Sequence, residues 1–263
     1  MAERDEGIWQ VDTDRHVRGS AARAILRYVE RALGKDAADA VVADAAARDG
    51  HTGHPARWIT SWMSHDAICH LADAAAGACG EPDIGRRAGE EGMRILHERG
   101  LADLLRSAGT VTAAATALID GANKSSDGRL HRVVPIDDHR LDVVATYVPP
   151  GFPSPFFCSN LTGFLVGVPA LFGGEGVVAE PECMVRGDEH CRYELRWTLA
   201  DGQGRSAAPS GPGTGVADAF IERFEQLHTM ATELAQADDL ETLLGRITDR
   251  ASTSVRARRH ALA

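Results

Sequence analysis

The chain reads as an α+β protein: N-terminal helices plus a small antiparallel sheet with an inserted helix, then a C-terminal helical dimerisation segment. Three observations predict this. Apolar residues recur at three- and four-residue steps as far as about residue 122. After Gly128 the period shortens, and LHRVVPI and LDVVATYV read as strands. The low-complexity string DGQGRSAAPSGPGTG then separates this region from a last helical stretch. Helices followed by strands is the order of an α+β domain, here residues 16–199.

Residues 1–15 form a polar lead-in. Ile25, Val29, Ala32 and Leu33 share one helical face from about Ser20, and Gly34 interrupts it. A second helix runs from Lys35 to Ala47. Pro55 suits the first turn of a third, which carries Ile59, Trp62, Met63 and Leu71 and ends near Gly77 or Gly80. Pro82 opens a fourth, running to about Arg99. Thr110 caps a short helix over 110–122. Strands 130–136 and 141–148 flank a turn at DDH. The apolar stretch 159–173 is a helix that Pro169 kinks or ends. Residues 176–185 and 190–199 form a last hairpin around RGDE. Residues 200–215 are a linker. Beyond it Val216, Phe220, Phe224, Leu227, Ala231 and Leu234 are spaced 4, 4, 3, 4, 3, a coiled-coil-like seam. The 48 residues after the linker are too few for a core of their own, so a homodimer is expected.

Net charge is −10, which disfavours direct binding to nucleic acid or to an anionic membrane. The acidic start MAERDEGIWQ lacks an apolar core. The longest apolar run, 161–173, is short for a span and contains a proline. Five cysteines, an odd number, argue against a disulfide framework and for a cytoplasmic location.

Two thiols, Cys183 and Cys191, sit in one 18-residue stretch, EPECMVRGDEHCRYELRW. A turn at Gly187-Asp188 places them opposite each other across a hairpin. A soft cation such as zinc takes four ligands with thiolates favoured, and Glu180 and Cys158 complete a set. His190 competes for the fourth place, and buried reduced thiols are the plain alternative. His51, His54, His65 and His70 crowd one region, and one of these, or His131, is a candidate haem ligand. Trp58 and Trp62 are helical i,i+4 partners that read as core. GQGRSA at 202–207 follows no strand and is not read as a dinucleotide site.

The pattern Cys158…Glu180-x-x-Cys183-x7-Cys191 resembles the 4-vinyl-reductase-type sensor domains of phenol-responsive transcriptional activators. The run Cys183 to Tyr193 resembles that domain's C-terminal signature. The resemblance implies zinc held by Cys158, Glu180, Cys183 and Cys191, and a small apolar or aromatic ligand inside the fold. No Trp lies between Trp62 and Trp197, so the family's His and Trp pair for a phenol hydroxyl has no counterpart, and a different molecule is expected. Residues 238–263 resemble the first helix of a GAF domain, with the output domain absent from this chain.

The expected function is therefore a cytoplasmic ligand-sensing regulatory domain with structural zinc, not an enzyme. It would signal through the dimeric helix to a cyclase, kinase or transcription factor. Two alternatives stand. One is a zinc-dependent enzyme, with Glu180 as base and His190 assisting. The other is a haem-based gas sensor, since the resembled family and haem-nitric-oxide domains share a related fold.

Overall fold

The computed structural model describes residues 17–51, 62–149 and 151–199, with Ala219, Glu222 and Arg223. The chain divides into two compact units, Met1–Phe224 and Glu225–Ala263, and the described elements lie in the first. The expected linker, dimer seam and GAF-like helix fall outside the described residues, apart from those three positions.

The α+β expectation holds. Helices α1 (Ser20–Leu33) and α2 (Lys35–Arg48) follow strand β1 (Val17–Arg18). Strand β2 (Trp62–Met63) precedes α3 (His65–Cys79), α4 (Ile84–Glu98), α5 (Leu101–Arg106) and α6 (Val111–Lys124). Strands β3 (Arg129–Asp137) and β4 (Arg140–Tyr147) lead into α7 (Pro155–Gly167) and a 3-10 turn at Pro169–Phe172. Strands β5 (Gly174–Glu182) and β6 (Cys191–Leu199) close the domain. The sheet order is β3-β4-β6-β5, antiparallel throughout.

Local chemistry fixes the helix starts. Thr110 Oγ1 accepts from the Ala113 amide at 3.1 Å, and Ser64 Oγ from the Ala67 amide at 3.0 Å, satisfying donors that a first turn leaves open. The Ser64 cap explains one departure from expectation. Trp62 and Met63 lie before it, and instead of continuing a helix they pair with Arg18 and Val17. Pro155 sits in the first turn of α7, so that helix begins four residues earlier than its apolar run suggests. Gly100, at φ 71°, ends one helix and lets α5 start at once.

The inner face of the sheet is apolar. Leu141, Val143, Ala145, Tyr193 and Leu195 are fully buried, at the two-residue period expected of strands. On the other face Asp142 stands directly opposite Glu194, a repulsive pairing. Arg192 offsets it, reaching Glu194 at 2.7 Å and Asp142 at 3.5 Å.

Helix α7 packs against α4 on one side and against β5 and β6 on the other. By length and composition Pro155–Phe172 also matches a membrane span; here its apolar residues meet α4 and the sheet. Glycines set the α4–α7 approach. A Cβ on Gly89 would lie 2.2 Å from the Asn160 carbonyl oxygen, and one on Gly163 2.2 Å from that of Arg86. The helices touch backbone to backbone, so neither position can gain a methyl group without the pair separating.

Gly89→Ala or Gly163→Ala should therefore lower stability by about 1–3 kcal/mol, the usual overpacking cost. Gly77→Ala, in α3 with nothing within 4 Å of the added atom, should raise it by about 0.5–1 kcal/mol. Urea denaturation of the three variants reads both signs.

Candidate functional site

Three elements deliver three sulfurs to one point. Cys158 lies in the first turn of α7, its amide bonded to the Ser154 carbonyl at 3.2 Å. Cys191 opens β6 and pairs with Ala145 of β4. Cys183 follows β5 and is held by a tight 3-10 turn, Met184–Arg186. That turn ends at Gly187, φ 97°, a conformation natural to glycine. Asp188 Oδ2 accepts from the Cys183 amide at 2.7 Å and locks the turn. The two cysteines are thus not cross-strand partners. The ladder reaches only Glu182↔Arg192, and the turn carries Cys183 back toward Cys191.

The Cys158 sulfur is 3.6 Å from that of Cys183 and 3.7 Å from that of Cys191, and the last two are 4.0 Å apart. Tetrahedral bonds of about 2.3 Å to one ion give ligand separations of about 3.8 Å. A Glu180 carboxylate oxygen joins them, all four ligand atoms lying within 4.8 Å of one another. Glu180 sits in the irregularity between Ala179 and Glu182. Its Oε1 is buried with no hydrogen-bond partner among the described residues, an orphan acceptor that a cation would satisfy. His190 is not in the group; its Nε2 lies 2.9 Å from Glu182 Oε2.

The cluster favours one thiolate. Cys158 beside it, the Met184 amide at 3.4 Å and the Arg129 charge hold Cys191 below the usual thiol range. The Cys158 thiol is pushed up, first by its bond to Cys191 and then by burial. Burial raises Cys183.

Arg129 stands next to this centre. It is 5% exposed. Its Nη1 donates to the Phe157 carbonyl and its Nη2 to the Tyr193 hydroxyl, each at 2.8 Å. The guanidinium also lies 5.1 Å from the Tyr147 ring centroid, a cation–π distance. Tyr147 Oη is 3.9 Å from the Cys158 sulfur. Sequence reasoning missed Arg129, Tyr147 and Tyr193. The available signal was the alternation Arg129-x-His131 at the start of a strand, which puts both residues on one face.

That same face borders an apolar cavity of about 180 Å³. Ala24 of α1, Leu96 of α4, Leu118 of α6 and Phe164 of α7 line it, with Arg129 and His131. Asn123 orients His131. The Asn123 side-chain amide donates to the His131 carbonyl at 2.9 Å, and its Oδ1 accepts from the His131 amide at 2.8 Å. These two bonds fix the Asn orientation, so Nδ1, 2.8 Å from the same Oδ1, must carry the ring proton. Nε2 is left as the lone-pair nitrogen. Burial, then the Arg129 charge, keeps the ring neutral by lowering its pKa well below the usual value. Of the other histidines, His65 is buried between Phe152 and Phe157. His70 Nδ1 lies 3.3 Å from Asp49, and His54 falls outside the described residues. Among the described candidates, His51, His65 and His70 do not line the cavity.

No protein-family model and no curated protein matches this chain. The solved structures it resembles place it in a class: its fold is that of H-NOX domains. An H-NOX protein from S. oneidensis, in the Fe(II) state, is 15% identical with a TM-score of 0.54, covering 71% of this chain and 98% of that one. An oxygen-binding H-NOX domain related to soluble guanylate cyclases is 12% identical at 0.53, covering 73% and 100%. An H-NOX protein from K. algicida is 10% identical at 0.52, covering 70% and 98%.

These findings correct three expectations. The neighbours are H-NOX domains and not 4-vinyl-reductase or GAF proteins. The metal that their descriptions name is iron, and zinc as the cofactor is withdrawn. The resemblance drawn from the cysteine spacing thus gives way to the haem-nitric-oxide fold on which the gas-sensor alternative rested, at 10–15% identity.

The thiolate absorbance of the metal-free protein should reach half of its first step at a pH below the free-thiol value. Below that pH Cys191 is protonated; above it the thiolate persists. Cys191→Ser should abolish the step. A first thiolate appearing only near the free-thiol value of about 8.5 contradicts the assignment.

Proposed function

We propose that this chain is a sensor domain that takes a small ligand in the cavity beside His131 and reports occupancy through the helices walling it. The carrying observation is a neutral histidine, set by Asn123, at the wall of a mostly apolar cavity. Haem is what the structural neighbours suggest as the group held there, which makes the domain a haem-based gas sensor. The donor chemistry fits. A metal-binding histidine characteristically gives its second ring proton to an oxygen acceptor, and that bond fixes its tautomer. His131 does so through Nδ1, leaving Nε2 for iron. Arg18, at the cavity wall, would supply positive charge for the carboxylates of such a group. Haem would supply the iron to which a diatomic gas binds.

The cavity volume favours a second reading, in which a small apolar or aromatic molecule binds directly. About 180 Å³ is close to the engineered cavity of about 150 Å³ that takes up benzene, and a tetrapyrrole is several times larger. In both readings the domain binds and does not catalyse. The seam at 216–234 is where a second copy would join, with an output domain beyond it. The reduced thiols suit a cytoplasmic setting.

Alongside the cavity, Cys158, Glu180, Cys183 and Cys191 are proposed as a closed site for a thiophilic divalent cation. It would tie the first turn of α7 to β6 and to the turn after β5, bracing the wall nearest Arg129.

Two experiments test these readings. Haemin added to the purified chain should give a sharp Soret band that His131→Ala removes. No Soret band, with a rise in Tm on adding benzene, would instead establish the direct-ligand reading. Cobalt(II) should bind one per chain with a thiolate charge-transfer band that Cys191→Ser removes. Absence of that band rules out the four-ligand site.

A further inference from the structure

We infer that Arg129 is the buried counter-charge of the thiolate centre, a positioning residue that holds an anionic metal site stable against the apolar cavity. This rests on the proposal that Cys158, Glu180, Cys183 and Cys191 hold a divalent cation. Four anionic ligands around a doubly charged ion leave two negative charges, 4 − 2 = 2, among side chains of which three are buried. A buried charge of that kind is tolerated only with compensation nearby.

Two cations are close enough to matter. Arg186 is half exposed, and its Nη1 lies 3.8 Å from Glu180 Oε2, where solvent screens it. Arg129 is buried, and it has no carboxylate partner among the described residues. Its fork closes instead on the Phe157 carbonyl, one residue before Cys158, and on Tyr193, two residues after Cys191. A guanidinium placed there without an anion would be costly to bury. Three thiolates and a carboxylate around an ion supply that anion. The thiols of Cys158 and Cys191 are among the groups that favour the arginine's charge. Cation and anionic centre thus account for each other. The remaining Nε, buried and unpartnered, shows that hydrogen bonding alone does not explain why an arginine occupies this position.

Cobalt(II) titration of the full chain, read from the charge-transfer band, tests this. Arg129→Met should weaken cobalt binding by about 10–100-fold, the usual effect of losing an outer partner of a metal site. Arg129→Lys, which keeps the charge but not the fork, should stay near the wild type, as should Tyr193→Phe. A purely structural arginine predicts another pattern: Lys and Met equally weak, with the band unshifted. That pattern, or wild-type affinity in Arg129→Met, overturns the inference. Should the Met variant not fold, the Lys variant decides alone: near wild type supports the counter-charge, and tenfold weaker refutes it. If the wild type itself takes up no cobalt, the metal reading fails and this inference with it. Equal binding by the wild type and Arg129→Met removes only the inference.

Discussion

The close approach of α4 and α7 is the constraint on which the rest of the domain depends. Where Gly89 and Gly163 meet, backbone lies against backbone, and this sets the depth to which α7 sinks toward the sheet. That depth brings Cys158 to within 3.7 Å of Cys191 on β6. It also brings Phe157 and Phe164 to the cavity wall. One helix therefore carries both the first sulfur of the cluster and a side of the cavity. A shift of α7 along α4 would disturb both at once, which gives the two regions a mechanical link without a separate relay.

Much of this fold was legible in the sequence, and the legible parts share a cause. Helices α1, α2, α4 and α6 carry their own period or their own caps, and β3 through β6 carry strand period and turn residues. Those signals are local. The short strands β1 and β2 were not legible, because two-residue strands some 45 positions apart exist only through their pairing, Val17 with Met63. The short helix α5 was missed because a left-handed Gly100 restarts the chain where a loop was the simpler expectation.

The candidate site divides the same way. Spacing suggested Cys183 and Cys191 as neighbours, and the resemblance implied Cys158 and Glu180 with them; the route differs, since a 3-10 turn folds Cys183 back where a plain hairpin pairing was expected. Choosing between Glu180 and His190 required coordinates, since only they show His190 spent on Glu182. Arg129 was invisible because an arginine in a strand reads as surface. Its burial arises from Tyr147, Tyr193 and the Phe157 carbonyl, which come from three separate elements. The wider relationship entered only as the haem-sensor alternative, by way of a related fold, since little sequence survives at the identities seen with H-NOX proteins.

A buried carboxylate elsewhere bears on how a molecule could reach the cavity. Glu91 of α4 is 1% exposed, and Arg27 and Arg31 of α1 reach it, together with Arg94. Parting α1 from α4 would leave that anion with Arg94 of its own helix alone, so this edge behaves as a latch. At the opposite edge the Arg18 amide donates to the Ser125 carbonyl, and Val17 bridges to Ser126. Any opening of the cavity between α1 and α4 would have to break the Arg27 and Arg31 ion pairs to Glu91.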